Sequence, residues 1–511
     1  MEEWEQLLEE GKRWHQAGKG QQAAACYQQI LAKRPQQAEA LQLFGVLLFQ
    51  SGQMQAGLEH MLQSAASFVR EGKLAEAAAV LEQILAVHPQ SIEAKFHLAQ
   101  VREQAGQPDV AQTLLLQLTE ARPDVAEAWA ELAFLSFRQQ APKQAEAYLR
   151  QFLKLRPEDA QGWSNLGIAL QHQQRLAEAE IAYDRAISFA PDDVQAHLNR
   201  AVLWLYQGKW QQGFQEYEWR LQRPQRKKEL AWCAAVPRWQ GELFSGKRLL
   251  VHHEQGFGDA LQFCRYLRQV KERGGWVTLS TRQELVSLLE RVDGVDAVVV
   301  QSDELDSNDY DLYVPLLSLP LIFGTTVRSI PASVSYLSAC EERKRHWRER
   351  IDQESAAGTL RVGLLWAGSR YGWNDYQRSS ALEEWLALRE VPGVSYFSLQ
   401  MGAAAAQAAG CCKEWPIIDL GKDIQDFADT AALVENLDLV VTVDTALAHV
   451  AGGLGKEVWL LLPVLADWRW LESGETTAWY PQIRLFRQEV SGGWAGAIQR
   501  VAEELVQRTT K

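Results

Sequence analysis

Two short stretches of the 511-residue chain bring together residue types that do chemistry. In HHEQGFGDALQF an apolar run ends at Gly256 and Gly258, and a helical pattern begins near Asp259. Glycines at such a turn let backbone approach a ligand closely. A carboxylate at the rim of a cleft can accept the proton of an attacking hydroxyl, which sugar transfer with inversion requires of a base. The same position suits a helix N-cap, and spacing alone does not separate the two readings. The second stretch, LDLVVTVDTALAHVAGGLG, reads as a buried strand, a turn at Asp444 and Thr445, and a helix of small residues. Free N–H groups at that helix start form an anion site suited to the diphosphate of a nucleotide sugar. Asp444 or Thr445 would also serve as plain caps. His449, one turn into the helix, either faces the site or packs.

Other motifs carry less. Gly241, Gly246 and Lys247 satisfy GxxxxGK, but Arg248 replaces the Ser or Thr a P-loop needs, and the motif precedes a strand. No GxGxxG sits at a strand-to-helix junction, which argues against a dinucleotide cofactor. Asp309 and Asp311 form a DxD that reads as a strand entrance, and the adjacent His252 and His253 would point to opposite faces of a strand. No metal site emerges.

The elements that must position these stretches follow from the change of period along the chain. From Lys247 short β-branched runs (RLLVHH, WVTLS, DAVVV, then RVGLLWAGS, VSYFSLQ, LDLVVTVD, EVWLLLP) alternate with helical ones, the pattern of an α/β fold with parallel sheets. Two Rossmann-like halves result, with a ligand cleft expected at the C-terminal ends of the strands. Between them, EERKRHWRER reads as a charged, solvated helix.

Upstream the pattern is helical and repetitive. Pro89, Pro123, Pro157 and Pro191 are spaced by 34 residues, each closing a helical pattern. Trp163, Leu166, Gly167, Ala179, Tyr183 and Ala186 fit the tetratricopeptide pattern of two antiparallel helices per repeat. The 54 residues from Pro35 to Pro89 break the register, so one helix between Met54 and Gly72 is truncated or shared. A weaker last repeat holds Trp204, Gly213 and Tyr217 before RLQRPQRKKE ends the pattern near 225. Stacked repeats leave a groove that binds polypeptide segments. Dimerisation or capping of the next domain is the other use of such an array.

Composition narrows the class. With 47% hydrophobic and 23% charged residues the chain is globular and multi-domain. A net charge of −13 argues against a nucleic-acid partner. No apolar run reaches the ~18 residues of a membrane span, and the start MEEWEQLLEE reverses a secretory signal's positive charge, so a cytoplasmic protein is expected. Six cysteines without a CxxC read as reduced thiols.

GDALQF together with VDTALAH resembles the bacterial heptosyltransferases of glycosyltransferase family 9. The whole chain is similar to bacterial tetratricopeptide-repeat proteins carrying a glycosyltransferase domain of that type, through HEQGFGD, WNDYQRS, SLQ, DFADTAALV, VDTALAH, DWRWL and WYPQIRLFRQ. The resemblance implies a repeat array over 1–225 and a GT-B fold with halves at 226–345 (acceptor side) and 346–511 (nucleotide-sugar side). It implies no metal and no cofactor beyond the donor. Carried onto this sequence, it makes Asp259 the base, with Gly256 and Gly258 beside it as donor-binding residues. Thr445 and Ala446 become backbone contacts to the diphosphate, Asp444 reaches the sugar, and Ser369 and His449 join the donor site. Arg378 stands where heptosyltransferases often present a lysine, a cation for the departing diphosphate. Gln400, and Asp426 with Phe427, border base and ribose. The repeats depart from simple heptosyltransferases and favour a protein acceptor. Repeat-bearing protein O-GlcNAc transferases share this outline, though not these phrases.

The expected function is thus an inverting, metal-independent glycosyltransferase moving a hexose or heptose from an ADP- or UDP-linked donor to a hydroxyl, on a protein held by the repeats. The alternatives are a repeat scaffold with an inactive transferase domain, oligomerised or partnered through the repeats, and a nucleotide-sugar epimerase needing no acceptor.

Overall fold

The structure is a computed structural model that describes residues 3–233, 235–301, 306–331, 335–368, 375–411, 415–489 and 493–510. The chain forms two compact units, Met1–Asp192 and Asp193–Lys511.

The first unit is all-helical. Its described helices, from Glu3–Gln16 to Leu176–Phe189, have 13 or 14 residues, except Met54–Arg70 with 17. The repeat residues explain the packing. A Cβ on Gly167 would fall 2.4 Å from the ring of Tyr183, so only glycine lets the helices Ala160–His172 and Leu176–Phe189 approach this closely. The indole N–H of Trp163 donates to the carbonyl of Pro157 at 2.8 Å, and Trp129 repeats this on Pro123 at 2.9 Å. Each staple ties a first helix to the turn before it. The turn inside each pair needs a left-handed residue: Gly18 and Gly106 supply it, while Gln140 and Gln174 adopt it at φ 56° and 59°.

The broken register resolves as a shared helix. Three helices, Ala38–Gln50, Met54–Arg70 and Leu74–Val87, fill the interval between Pro35 and Pro89, and the middle one packs on both neighbours. It is longer than its neighbours, not truncated.

The second unit begins with a helix pair, Val194–Tyr206 and Trp210–Tyr217, that continues the repeat pattern in sequence. Its packing partners lie far along the chain: Trp210 stacks on Trp479 at 5.1 Å between centroids, and Phe214 meets Trp468 edge-on at 5.6 Å. Pattern places a boundary near 225, whereas packing divides the chain after Asp192. The difference has a testable result. Deleting residues 1–192 should leave a soluble fragment with cooperative thermal unfolding. Deleting 1–225 strips Trp210, Phe214 and Arg220 from buried positions, a loss of more than ~5 kcal/mol, and should abolish that transition in a calorimetric scan.

Two parallel sheets follow. β1 (Arg248–His252), β2 (Trp276–Thr281), β3 (Ala297–Val300) and β4 (Leu312–Pro315) form one, in the order β3-β2-β1-β4. β5 (Leu360–Leu365), β6 (Val394–Ser398), β7 (Ile417–Asp419), β8 (Leu439–Val443), β9 (Val458–Leu462) and β10 (Ile483–Arg487) form the other, in the order β10-β9-β8-β5-β6-β7. β8 and β9 are buried at every position, as expected of parallel strands covered on both faces. In each sheet the strand order reverses beside the first strand, between β1 and β4 and between β5 and β8. Ligands of doubly wound sheets bind beyond the strand ends at such points.

Asp311 accepts the N–H of Arg248 at 2.7 Å, which ties the start of β1 to the approach to β4, the strand-entrance role expected of the DxD. The helix Glu341–Glu354 corrects the sequence reading in part: Trp347 and Ile351, one turn apart, are buried, and Arg343, Lys344 and Arg350 pair with Asp426, Glu435 and Asp423. Among the described residues no helix is long and apolar enough to cross a membrane. Cys26, Cys233, Cys264 and Cys340 are unpaired thiols.

Candidate functional site

A cavity of about 1280 Å³ lies within the second unit where the ends of β1, β5, β6 and β8 converge. The loop after β1 supplies Gln255, Gly256, Phe257, Gly258 and Asp259; the loop after β5 supplies Ala367 and Gly368; the turn after β8 supplies Asp444, Thr445 and Ala446. Most residues singled out in the sequence thus meet in one place. Ser369 lies outside the described residues.

Asp259 stands in the first turn of the helix Phe257–Phe263. One carboxylate oxygen, Oδ2, accepts the N–H of Gly256 at 2.8 Å. The other, Oδ1, accepts from Nη2 of Arg469. The capping role and a place in the cavity therefore coexist. Burial pushes the carboxyl above the ordinary range; Arg469 and the Gly256 N–H pull against this, while Asp467 and Glu254 add to it. A side chain at Gly256 would place its Cβ 3.2 Å from Oδ2 of Asp259, so the glycine leaves room for the carboxylate. At Gly258 the neighbour is different: a Cβ there would lie 2.8 Å from the ring of His449. Gly258 is the point where the helix after β1 meets the helix after β8.

That second helix, Ala446–Gly453, starts at Thr445, whose own side chain makes no cap. The Thr445 hydroxyl is buried without a hydrogen-bond partner among the described residues. The first N–H groups of a helix have no partners within it, so donors and a helix dipole face the cavity here. Asp444 precedes them, its carboxyl pushed up to about 6 by burial and by nearby Asp467. Arg378, from the helix Asp375–Arg378, donates to the Asp444 carbonyl at 3.2 Å and lines the same wall. His449 is buried; its Nδ1 lies 2.7 Å from the Tyr480 hydroxyl and its ring stacks on Trp470. Burial, with Arg469, Arg265 and Arg378 nearby, holds its pKa well below the usual value, so the imidazole is neutral.

Gln400 also lines the cavity, yet its amide is engaged with backbone: Oε1 accepts from Trp366 and Ala367 at 3.2 and 2.9 Å, and Nε2 donates to the carbonyls of Ala367 and Met401 at 3.0 and 3.1 Å. It clamps the loop after β5. Asp426 is not part of the lining; it caps the helix Phe427–Val434 through the Asp429 N–H at 2.8 Å and pairs with Arg343. Phe427 is in the lining, facing Phe257 at 4.9 Å. His252 and His253 are both buried and separately partnered, His253 by Thr281 at 3.0 Å and His252 by Gln301 at 3.3 Å. Among the described residues no group of His, Cys, Asp and Glu is placed to hold a metal ion.

Three contributors were not assigned from the sequence. Arg469, in the short turn Trp468–Trp470, bridges to Asp259. Tyr217 exchanges hydrogen bonds with Gln255, at 2.8 Å from Nε2 to the hydroxyl. Glu254, fully buried just before the loop, is gripped by Arg220 through two bonds of 3.2 and 3.0 Å. The phrase DWRWL was the available signal for Arg469; nothing local marks Tyr217 or Arg220.

Comparison with known proteins addresses the two units differently. Residues 15–68, 68–133 and 135–194 match models of the tetratricopeptide repeat, so the helical array consists of these repeats. Protein FlbA of Caulobacter vibrioides is 26% identical over 329 residues, 60% of this chain and 54% of that protein. The chain thus spans about half the length of the curated relative it matches. Among solved structures, MamA is similar over 32% of this chain and 96% of its own, at 19% identity and a TM-score of 0.31. A family 9 glycosyl transferase from Veillonella parvula is similar over 53% of this chain and all of its own, at 11% identity and a TM-score of 0.41.

Proposed function

We propose that the second unit is an inverting glycosyltransferase of the GT-B type, acting on a nucleotide-diphosphate sugar without need of a metal, and that the repeats hold its acceptor, a protein. The observation that carries this reading is the convergence, in one cavity, of a buried carboxylate after β1 with an uncapped helix start after β8. The first is a base; the second is an anion site.

In this scheme the diphosphate lies against the N–H groups at Thr445 and Ala446, with Ser369 and the Arg378 guanidinium beside it, and Asp444 reaches the sugar. Gln400 acts by shaping the loop after β5. The acceptor oxygen bonds to the anomeric carbon from the Asp259 side as the bond from that carbon to the diphosphate oxygen breaks. The acceptor proton passes to Asp259, and the electron pair leaves with the nucleoside diphosphate. Arg378 and the helix dipole stabilise the charge that develops there. A base needs a pKa near working pH, and burial moves Asp259 in that direction.

Calorimetric titration of the full chain with ADP, UDP and GDP, without added metal, tests the donor half of the proposal. Binding of one nucleotide selectively is expected, ADP pointing to a heptose and UDP to a hexosamine. Binding of none would leave the repeat scaffold as the better account.

A further inference from the structure

We infer that Arg469 is the positioning residue of the proposed base, fixing the plane of the Asp259 carboxylate and keeping it ionised inside a buried site. The inference rests on reading Asp259 as the base.

Arg469 is 8% exposed, and each of its three guanidinium nitrogens has a partner. Nη2 donates to Asp259, Nη1 to Asp467 at 2.8 Å, and Nε to the side-chain carbonyl of Gln262. Trp468 lies under the guanidinium, 4.5 Å from its ring centre. The fork therefore has no freedom to turn. Gln262 follows Asp259 by three residues on the same helix, so Arg469 grips one face of that helix at two points. The Gly256 N–H holds the other carboxylate oxygen. Both oxygens are thus fixed, and each keeps a lone pair for a proton.

The loops that carry the two partners share a second feature. Gln255 and Leu471 hold left-handed backbone at φ 60° and 59°, and Leu471 has ψ 178° as well, a region almost confined to glycine. Such residues cost ~1–3 kcal/mol each and persist where surrounding structure over-determines them. One sits next to Gly256 and the other two residues after Arg469. The surroundings that hold these two residues in place also hold the loops that carry the ion pair.

Electrostatics gives the arginine a second task. The groups facing Asp259 are Asp467 and Glu254, which oppose its ionisation, the Tyr217 hydroxyl, and the neutral His449 ring across Gly258. Among these neighbours Arg469 is the cation that favours the carboxylate. Without it, only the Gly256 N–H stands against burial and two like charges, and protonation moves to higher pH. A protonated base is inactive, so the acid side of the activity profile should move upward with it.

The test is an infrared titration of the full chain labelled with ¹³C at aspartate side-chain carboxyls. The Asp259 band is isolated by subtracting the spectrum of Asp259→Asn in the same background. In Arg469→Met the midpoint is expected to rise by about one to three pH units. In Arg469→Lys, which keeps the charge without the fork, a smaller rise is expected, and this variant decides the matter if the methionine protein does not fold. An unchanged midpoint in the folded variants would overturn the inference. Nucleotide calorimetry on the same proteins separates this from failure of the transferase reading: loss of all binding in the wild type removes the reading, while the midpoint still reports whether Arg469 controls Asp259.

Discussion

Asp259→Asn is expected to remove sugar transfer while leaving nucleotide binding intact. Asparagine has the shape of the carboxylic acid but cannot take a proton from the acceptor, and general-base catalysis of this kind contributes roughly 10²- to 10⁴-fold. The substitution keeps the side chain's shape, although its amide NH2 must face one of two donors, at a cost of about 1–3 kcal/mol. The single amide oxygen can still accept from either Gly256 or Arg469, and Arg469 retains Asp467 at 2.8 Å as its counter-charge. The donor half of the cavity is untouched, because Thr445, Ala446 and Arg378 come from the other sheet's loops. Calorimetry with the preferred nucleotide should therefore give an affinity within about twofold of the wild type, while product formation falls by two or more orders of magnitude. Full activity in this protein would remove the proposed base. In the wild type, activity should decline as pH falls through the raised pKa of Asp259, since the base works only when ionised.

The second large effect is on stability. Arg220 is 3% exposed and lies among Glu254, Glu218 at 2.6 Å and the Ser318 hydroxyl at 2.6 Å, while Glu254 has no exposed side-chain surface. Arg220→Met should cost about 3–5 kcal/mol, because it leaves Glu254 buried and charged with only the Leu317 N–H at 3.2 Å and the more distant Arg226 at 3.9 Å. Urea denaturation followed by tryptophan fluorescence measures this directly. Removing the stranded charge as well, in Arg220→Met with Glu254→Gln, should restore part of the loss. If the double variant is as unstable as the sum of the two single ones, the pair is not coupled. Because Glu254 immediately precedes Gln255 and Gly256, the single variant should also loosen the grip on Asp259.

Much of this architecture is legible in the chain, for identifiable reasons. The 34-residue period survives because Gly167 must face Tyr183 and each tryptophan must reach the carbonyl of its proline, contacts set within one repeat. Asp259 and the Asp444–Thr445 turn are legible because strand end, turn and helix start are adjacent in sequence. The role of Arg469 is not: its carboxylate partner is 210 residues away, and no local pattern reports such a pairing. The packing boundary fails to show for the same reason, since Trp210 looks like a repeat residue until Trp479 is seen stacked on it. Gln400 shows what sequence position alone leaves open. A polar residue at a strand end reads as ligand-facing, yet its hydrogen bonds fold back onto the loop beside it. The amide satisfies backbone groups that a buried loop would otherwise leave orphaned.

The shared helix Met54–Arg70 has a consequence for direction. Helices joined by turns of three or four residues run antiparallel, so adding or removing a pair leaves every later helix pointing the same way. One unpaired helix reverses them all. The first-type helix Ala38–Gln50, before it, and the first-type helices Ile92–Gln104, Ala126–Arg138 and Ala160–His172, after it, therefore run in opposite senses. The positive ends of their dipoles emerge on opposite edges of the array. Along each edge the ends of the first-type helices thus change from one dipole pole to the other at Met54–Arg70, while the second helices of the pairs supply the opposite pole.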